Sequence, residues 1–108
     1  MAYLFLMHTV AETPIFQKYA KQIWSEGERM AFIEWIAANP CAGDVIPGSG
    51  GCRKVRWSRS GMGKRGGARV IYFNVTDGRI WLLIAYTKAK FDNLEPSFLA
   101  RLKNEVEP

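Results

Sequence analysis

The chain of 108 residues holds one histidine and two cysteines. His8 has no second imidazole to join it, and Cys41 and Cys52 lack the CxxC spacing of a structural zinc site. A His-based triad, a Cys–His pair and an acidic cluster for two metal ions are equally out of reach, so no metal and no cofactor are expected. The two thiols can pair as a disulfide or stay free, and a reducing cytosol favours the second. No run approaches the ~20 apolar residues of a membrane helix. The opening AYLFLMHTV is apolar for only a few residues, with neither a basic leader nor a small-residue cleavage site, so it reads as a first strand and not as a signal peptide. A cytoplasmic location and no membrane partner are expected.

Acidic residues are missing from one particular place. The formal net charge is +5, yet residues 1–47 carry three basic and five acidic side chains, and residues 76–108 carry five of each. Residues 48–75 hold Arg53, Lys54, Arg56, Arg59, Lys64, Arg65 and Arg69 with no Asp or Glu among them. Uncompensated cations repel, a cost tolerated mainly where a polyanion arrives to neutralise them. Nucleic acid is the favoured reading. A solvated hairpin whose acids come from elsewhere in space stays open, and an anionic membrane surface is a weaker fit, because these cations fall on strands and a loop and not on an amphipathic helix.

What is present is a core. An apolar fraction of 48% with 13% aromatics marks a globular chain, and one domain over residues 1–108 is expected. Tyr3 to Met7 anchors a buried strand over residues 2–8. Thr13-Pro14 is an N-cap with proline at the first helical position, opening a helix to about Trp24. Ser25 and Glu28 have the S-x-x-E form of a capping box, which starts a second helix ending near Asn39-Pro40. Its apolar stripe of Met30, Phe32, Ile33, Trp35, Ile36 and Ala37 is read mostly as core, with a partner chain on part of its width as the lesser alternative.

The segment Pro40 to Gly51, with Gly43, Pro47, Gly48, Gly50 and Gly51, is read as an irregular connection with several positive-φ positions and no helix or strand of its own. Three strands follow, at Cys52–Ser58, Ala68–Thr76 and Arg79–Thr87. The first two are joined by the Gly-rich loop Arg59–Gly67, the last two by a turn at Thr76-Asp77-Gly78. Pro96 to about Glu107 makes a final amphipathic helix. The expectation is an α+β fold, a mostly antiparallel four-stranded sheet with two N-terminal helices and one C-terminal helix, in the order β-α-α-β-β-β-α.

Along Cys52–Ser58 the period of two sends Cys52, Lys54 and Arg56 to one face and Arg53, Val55 and Trp57 to the other. If the next strand turns Arg69 to the first face, with Lys88 and Lys90 just past the third, five cations converge on a patch able to hold a phosphodiester and the charge that builds on it during cleavage. RNA permits a metal-free route, in which the 2′-OH attacks the adjacent phosphate. That route needs a proton acceptor, cations and an acid for the leaving oxygen. Crowded like charges disfavour the protonated form of a lysine, which makes Lys54 the candidate base and Lys88 its competitor. GMGKRGG fits neither phosphate-binding glycine motif, because it leads into a strand where those motifs open a helix. His8 is read as satisfied locally, and Asp44 and Asp92 as turn residues.

The order of elements, together with NPCAGDVIPGSGGCRKVRW at 39–57, GMGKRGGARVIYF at 61–73 and LLIAYTKAKFDNL at 82–94, resembles the RelE/ParE toxin superfamily, and within it the HigB-type branch. The resemblance implies the toxin of a type II toxin–antitoxin system. Such a toxin is an mRNA interferase, a metal-independent endoribonuclease that cuts message in the ribosomal A site and stops translation. It implies a neutralising antitoxin of helix-turn-helix HigA type, through which alone operator DNA is bound. By position, Lys54, Arg56, Arg69 and Lys88 match the catalytic cations. Arg53, Lys64, Arg65, Lys90, Phe91 and Asp92 are the residues expected to touch RNA or ribosome. Many members carry a catalytic tyrosine in the C-terminal segment; this chain has none after Tyr86 and offers Phe91 and Asp92 there. The superfamily also contains ParE-type gyrase inhibitors without nuclease activity, and a third possibility is an inactive homologue that acts only in antitoxin-bound repression of DNA. The density of cations around Arg69 favours the nuclease.

Overall fold

A computed structural model describes residues 8–57, 67–74, 78–88, 90–91 and 93–106. Its elements are β1 (Thr9–Glu12), α1 (Pro14–Ile23), α2 (Glu26–Ala38), β2 (Asp44–Val45), β3 (Arg53–Trp57), β4 (Ala68–Asn74), β5 (Arg79–Tyr86) and α3 (Pro96–Val106). The fold is α+β, as expected. Its sheet has five strands in the order β1-β5-β4-β3-β2, and not four. The strand expected at residues 2–8 lies outside the described residues except for His8, and the described strand Thr9–Glu12 follows its expected end and pairs parallel with β5. The other pairings are antiparallel. The loop residues 59–66 and the turn residues Thr76 and Asp77 also lie outside the described residues, although Gly78 takes the positive φ of 86° that its place in a turn requires.

Local chemistry starts both N-terminal helices. The Thr13 hydroxyl accepts from Phe16 N–H at 3.0 Å and donates to the Leu83 carbonyl at 3.1 Å, capping α1 and tying it to the sheet at once. Pro14 follows at the first helical position. Ser25 Oγ accepts from Glu28 N–H while Glu28 Oε1 accepts from Ser25 N–H at 2.8 Å, the full capping box. Arg29 on α2 holds both carboxylate oxygens of Glu12, which fastens α2 to β1.

Two layers of side chains bury the sheet. On one face Phe16, Ala20, Phe32 and Ile36 of α1 and α2 pack on Val55, Val70, Tyr72, Ile80 and Leu82. On the other, Leu99 and Leu102 of α3 pack on Cys52, Ile71, Phe73 and Ile84. In α2 the apolar stripe divides as its width suggested: Phe32, Ile36 and Ala37 are buried, whereas Met30 is 43% exposed. Both cysteines are free, Cys41 exposed and Cys52 buried. No helix among the described residues is long and apolar enough to cross a membrane.

The segment Pro40–Gly51 has the expected positive φ at Gly48, Gly50 and Gly51, but it is not without a strand. Asp44 and Val45 pair with Lys54 and Arg53, because contacts remote in sequence hold them there. The Tyr72 hydroxyl accepts from Gly43 N–H at 2.9 Å and donates to the Pro40 carbonyl at 2.9 Å. The Arg53 guanidinium donates to the Gly43 carbonyl at 2.7 Å. A Cβ at Gly43 would lie 2.8 Å from the Lys54 carbonyl oxygen, so only glycine permits this approach.

Removing the Tyr72 hydroxyl should therefore strand the Gly43 donor inside the protein. Tyr72→Phe is expected to lower the unfolding free energy by about 1–3 kcal/mol, read from the denaturation midpoint at neutral pH. A second expectation concerns alkali. Burial pushes the Cys52 thiol and the Tyr72 phenol above their ordinary values of 9.0 and 10.0. The fold thus favours the protonated forms, and that contribution is complete below the ordinary values and lost as pH rises through the raised ones. Thermal melts should hold steady from neutral pH to about the ordinary thiol value and decline above it.

Candidate functional site

The sites of the cations follow from strand register. Val55 and Trp57 must turn toward the α1/α2 layer, where Val55 is buried and Trp57 stacks at 4.9 Å from Trp35 and 5.6 Å from Phe32. The alternation of the strand then turns Lys54 and Arg56 to the α3 side. Across the sheet Arg56 pairs directly with Arg69, and Arg69 directly with Tyr86. Directly opposed residues share a face, with Cβ atoms about 4.5–5.5 Å apart. Arg56 is exposed while Lys54 and Arg69 are half-buried, so this corner of the face is where the cover given by α3 ends.

Of the residues singled out from sequence, Lys54, Arg56 and Arg69 are brought together on adjacent strands. Lys88 follows two residues beyond Tyr86, exposed in the turn that ends β5. Lys90, also exposed, borders a cavity of about 290 Å³ whose lining includes Tyr86. Arg53 stands apart, on the opposite face, with its guanidinium committed to the Gly43 carbonyl. The ring of Phe91 sits edge-on between Tyr19 and Tyr86, both centroids 5.9 Å away. It is half-buried and packs against both tyrosines. Lys64, Arg65 and Asp92 lie outside the described residues. Among the described residues no three His, Cys, Asp or Glu side chains gather as metal ligands would.

Tyr86 is the member that sequence reasoning passed over. It is 2% exposed, seated by Phe91, and it lies opposite Arg69. Burial pushes its hydroxyl above the usual phenol value of 10.0, while the Arg69 guanidinium pulls the other way. At neutral pH it holds its proton and can donate it. Tyr86 and Lys54 also border a common cavity of about 250 Å³ beside the start of α3. Cations on two strands, a buried phenol and a cavity can together hold an anionic oxygen cluster and supply a proton to one of its atoms.

The architecture can be set beside solved structures. The chain is similar to the Escherichia coli toxin RelE, solved in its free state as a double arginine-to-alanine mutant, with a TM-score of 0.57. The fold is RelE-like. The match covers 80% of this chain and 88% of RelE at 12% sequence identity. Such identity carries the arrangement of elements, and the roles of individual side chains on this RelE-like frame rest on the geometry above. No protein-family model matches the chain.

The closeness of Arg69 to Tyr86 has a spectroscopic consequence. Arg69→Ala removes the cation that stabilises the phenolate, so the Tyr86 titration should move further up. Ultraviolet titration, with Tyr86→Phe to assign the signal, reads this directly; an unmoved or lowered titration would contradict the pairing.

Proposed function

We propose that this protein is the toxin of a toxin–antitoxin pair, a HigB-type mRNA interferase that cuts message on the ribosome and so stops translation. The observation that carries the reading is the direct pairing of Arg56 with Arg69 on a face shared with Lys54 and Tyr86. Two guanidinium groups on directly opposed strand positions place several fixed donors within reach of one phosphate. The RelE-like fold supports the reading, since the solved neighbour is itself a toxin.

In this proposal the scissile phosphate lies on Arg56 and Arg69, whose donors stabilise the charge that accumulates as the 2′-OH attacks. Lys54 takes the 2′-OH proton, with Lys88 as the competing base. Tyr86, protonated at neutral pH, donates to the departing 5′-oxygen and fills the part that a more C-terminal tyrosine plays in many members of the superfamily. Lys90 adds attraction for the flanking backbone, as do Lys64 and Arg65 on the Gly-rich loop. The ribosome orients the RNA, and proximity supplies a large part of the rate. A helix-turn-helix antitoxin of HigA type would silence the chain in the cytoplasm by covering the cations or blocking entry to the A site, and would carry the pair to operator DNA.

Primer extension on a defined message in a reconstituted translation system tests this. The wild type should produce cuts only with ribosomes present, and Arg69→Ala should lower the cutting rate by roughly 100-fold or more, with a thermal melt as the check on folding. Naked RNA should be bound in a strongly salt-dependent way and hardly cut. Intact message with arrested DNA supercoiling would transfer the protein to the gyrase inhibitors. Neither effect would leave the binding-only homologue.

A further inference from the structure

Where the end of α1 meets the start of α2, a cavity of about 520 Å³ lies apart from the cationic face. Glu12, Lys21, Trp24, Ser25, Glu26 and Arg29 border it, and none of Lys54, Arg56, Arg69, Tyr86 or Lys88 does. Its wall holds an unsatisfied donor. Trp24 is 6% exposed and stacks on Phe32 at 5.4 Å, yet its indole N–H is buried without a hydrogen-bond partner. Buried donors are nearly always satisfied, so a lone one in the wall of a cavity points to an acceptor that arrives from outside.

Further donors converge beside it. The capping box uses the N–H groups of Ser25 and Glu28, which leaves those of Glu26 and Gly27 without a partner within the helix, at the positive end of its dipole. Lys21 is exposed and pairs with no carboxylate among the described residues. The charges around the cavity nevertheless sum to zero, Lys21 and Arg29 against Glu12 and Glu26. Arg29 holds both carboxylate oxygens of Glu12. The Glu26 side chain is 84% exposed and reaches the same guanidinium only at 3.7 Å, so its carboxylate is open to a second cation.

We infer that this cavity binds a free α-amino acid as its zwitterion, with the carboxylate on the Trp24 N–H and the start of α2 and the ammonium on Glu26. A border that holds both signs and no net charge suits a ligand of the same kind. A dianion such as phosphate would meet Glu12 and Glu26 and be repelled. A peptide holds its two termini apart, whereas a free amino acid carries both charges on one carbon and can satisfy both ends of the cavity at once. The volume lies in the range of roughly 300–1,000 Å³ of small-molecule sites. Because the cavity shares no residue with the cationic face, the inference stands or falls independently of the RNA reading.

The test titrates the protein-forming L-amino acids one at a time into the isotopically labelled whole chain. It follows the Trp24 indole N–H, assigned by its contacts with the rings of Phe16 and Phe32. At least one amino acid should move this signal saturably. The N-acetyl and the amide derivatives of that amino acid, each lacking one of its charges, should bind roughly tenfold more weakly, the order expected from losing a hydrogen bond to a charged group. Acetate, methylammonium and inorganic phosphate should leave the signal unmoved at the same concentration. Glu26→Gln, at an exposed position, should weaken the amino acid by a similar factor and leave its N-acetyl derivative unchanged, a selectivity that damage to the fold would not produce.

An indole signal that no amino acid moves overturns the inference. So does an N-acetyl derivative that binds as well as its parent, or phosphate that competes on equal terms. Binding that survives Glu26→Gln at full strength removes the ammonium contact and overturns the zwitterion with it.

Discussion

A slip of one residue between β3 and β4 would carry Val55 and Trp57 out of the layer under α1 and α2 and drive Lys54 and Arg56 into it. Burying unpaired cations among Phe32, Val70 and Tyr72 costs far more than any strand pairing returns, so the register is set by the aromatic side of the sheet. The cationic side is its consequence. Val55 against Val70 and Trp57 against Ala68 force Arg56 against Arg69. The core on one face therefore fixes which side chains share the other, and it sets Lys54, Arg56, Arg69 and Tyr86 together there.

A similar dependence governs the sheet edge. β2 is two residues long and would not persist on its own pairing. Tyr72 reaches from the middle strand to hold Gly43 and Pro40, and Asn74 adds a second donor to the Pro40 carbonyl at 2.9 Å. These bonds bring Ile46 beside the cationic face, where it walls the cavity bordered by Lys54 and Tyr86. Ser49, fully buried, accepts from Cys52 N–H at 3.0 Å and closes the remainder of the loop. A glycine-rich connection that looks unstructured in composition is thus fixed by side chains that lie mostly elsewhere in the sequence.

That distance explains what could and could not be read in advance. The Thr13-Pro14 start and the Ser25–Glu28 capping box are chemistry within four residues, and both are found as written. The alternation along β3 is local as well, so the opposition of Lys54 and Arg56 to Val55 and Trp57 was legible. β2 was not, since its causes are a tyrosine 29 residues from Gly43 and a carbonyl that tolerates no Cβ. Tyr86 was missed for a related reason. On its own strand it reads as one more apolar position, and only its pairing with Arg69 gives it a chemical neighbour. The resemblance to the superfamily directed attention to positions after it, where Phe91 turns out to support Tyr86 from behind.

The final helix explains why the site lies at this corner and not in the middle of the sheet. α3 covers Ile71, Phe73 and Ile84 with Leu99 and Leu102, and Lys103 lies over the ring of Phe73 at 5.4 Å. Its first turn begins at Pro96, which lines the same cavity as Lys54, and among the described residues Arg56, on that side of the face, is exposed. Where the layer stops, the strands change from apolar to cationic within two residues, from Ile71 to Arg69 on β4. A phenol at that boundary is shielded enough to keep its proton and near enough to a guanidinium to respond to charge. On the proposed reading, that boundary gives the site low-dielectric walls on one side and access for a polymeric substrate on the other.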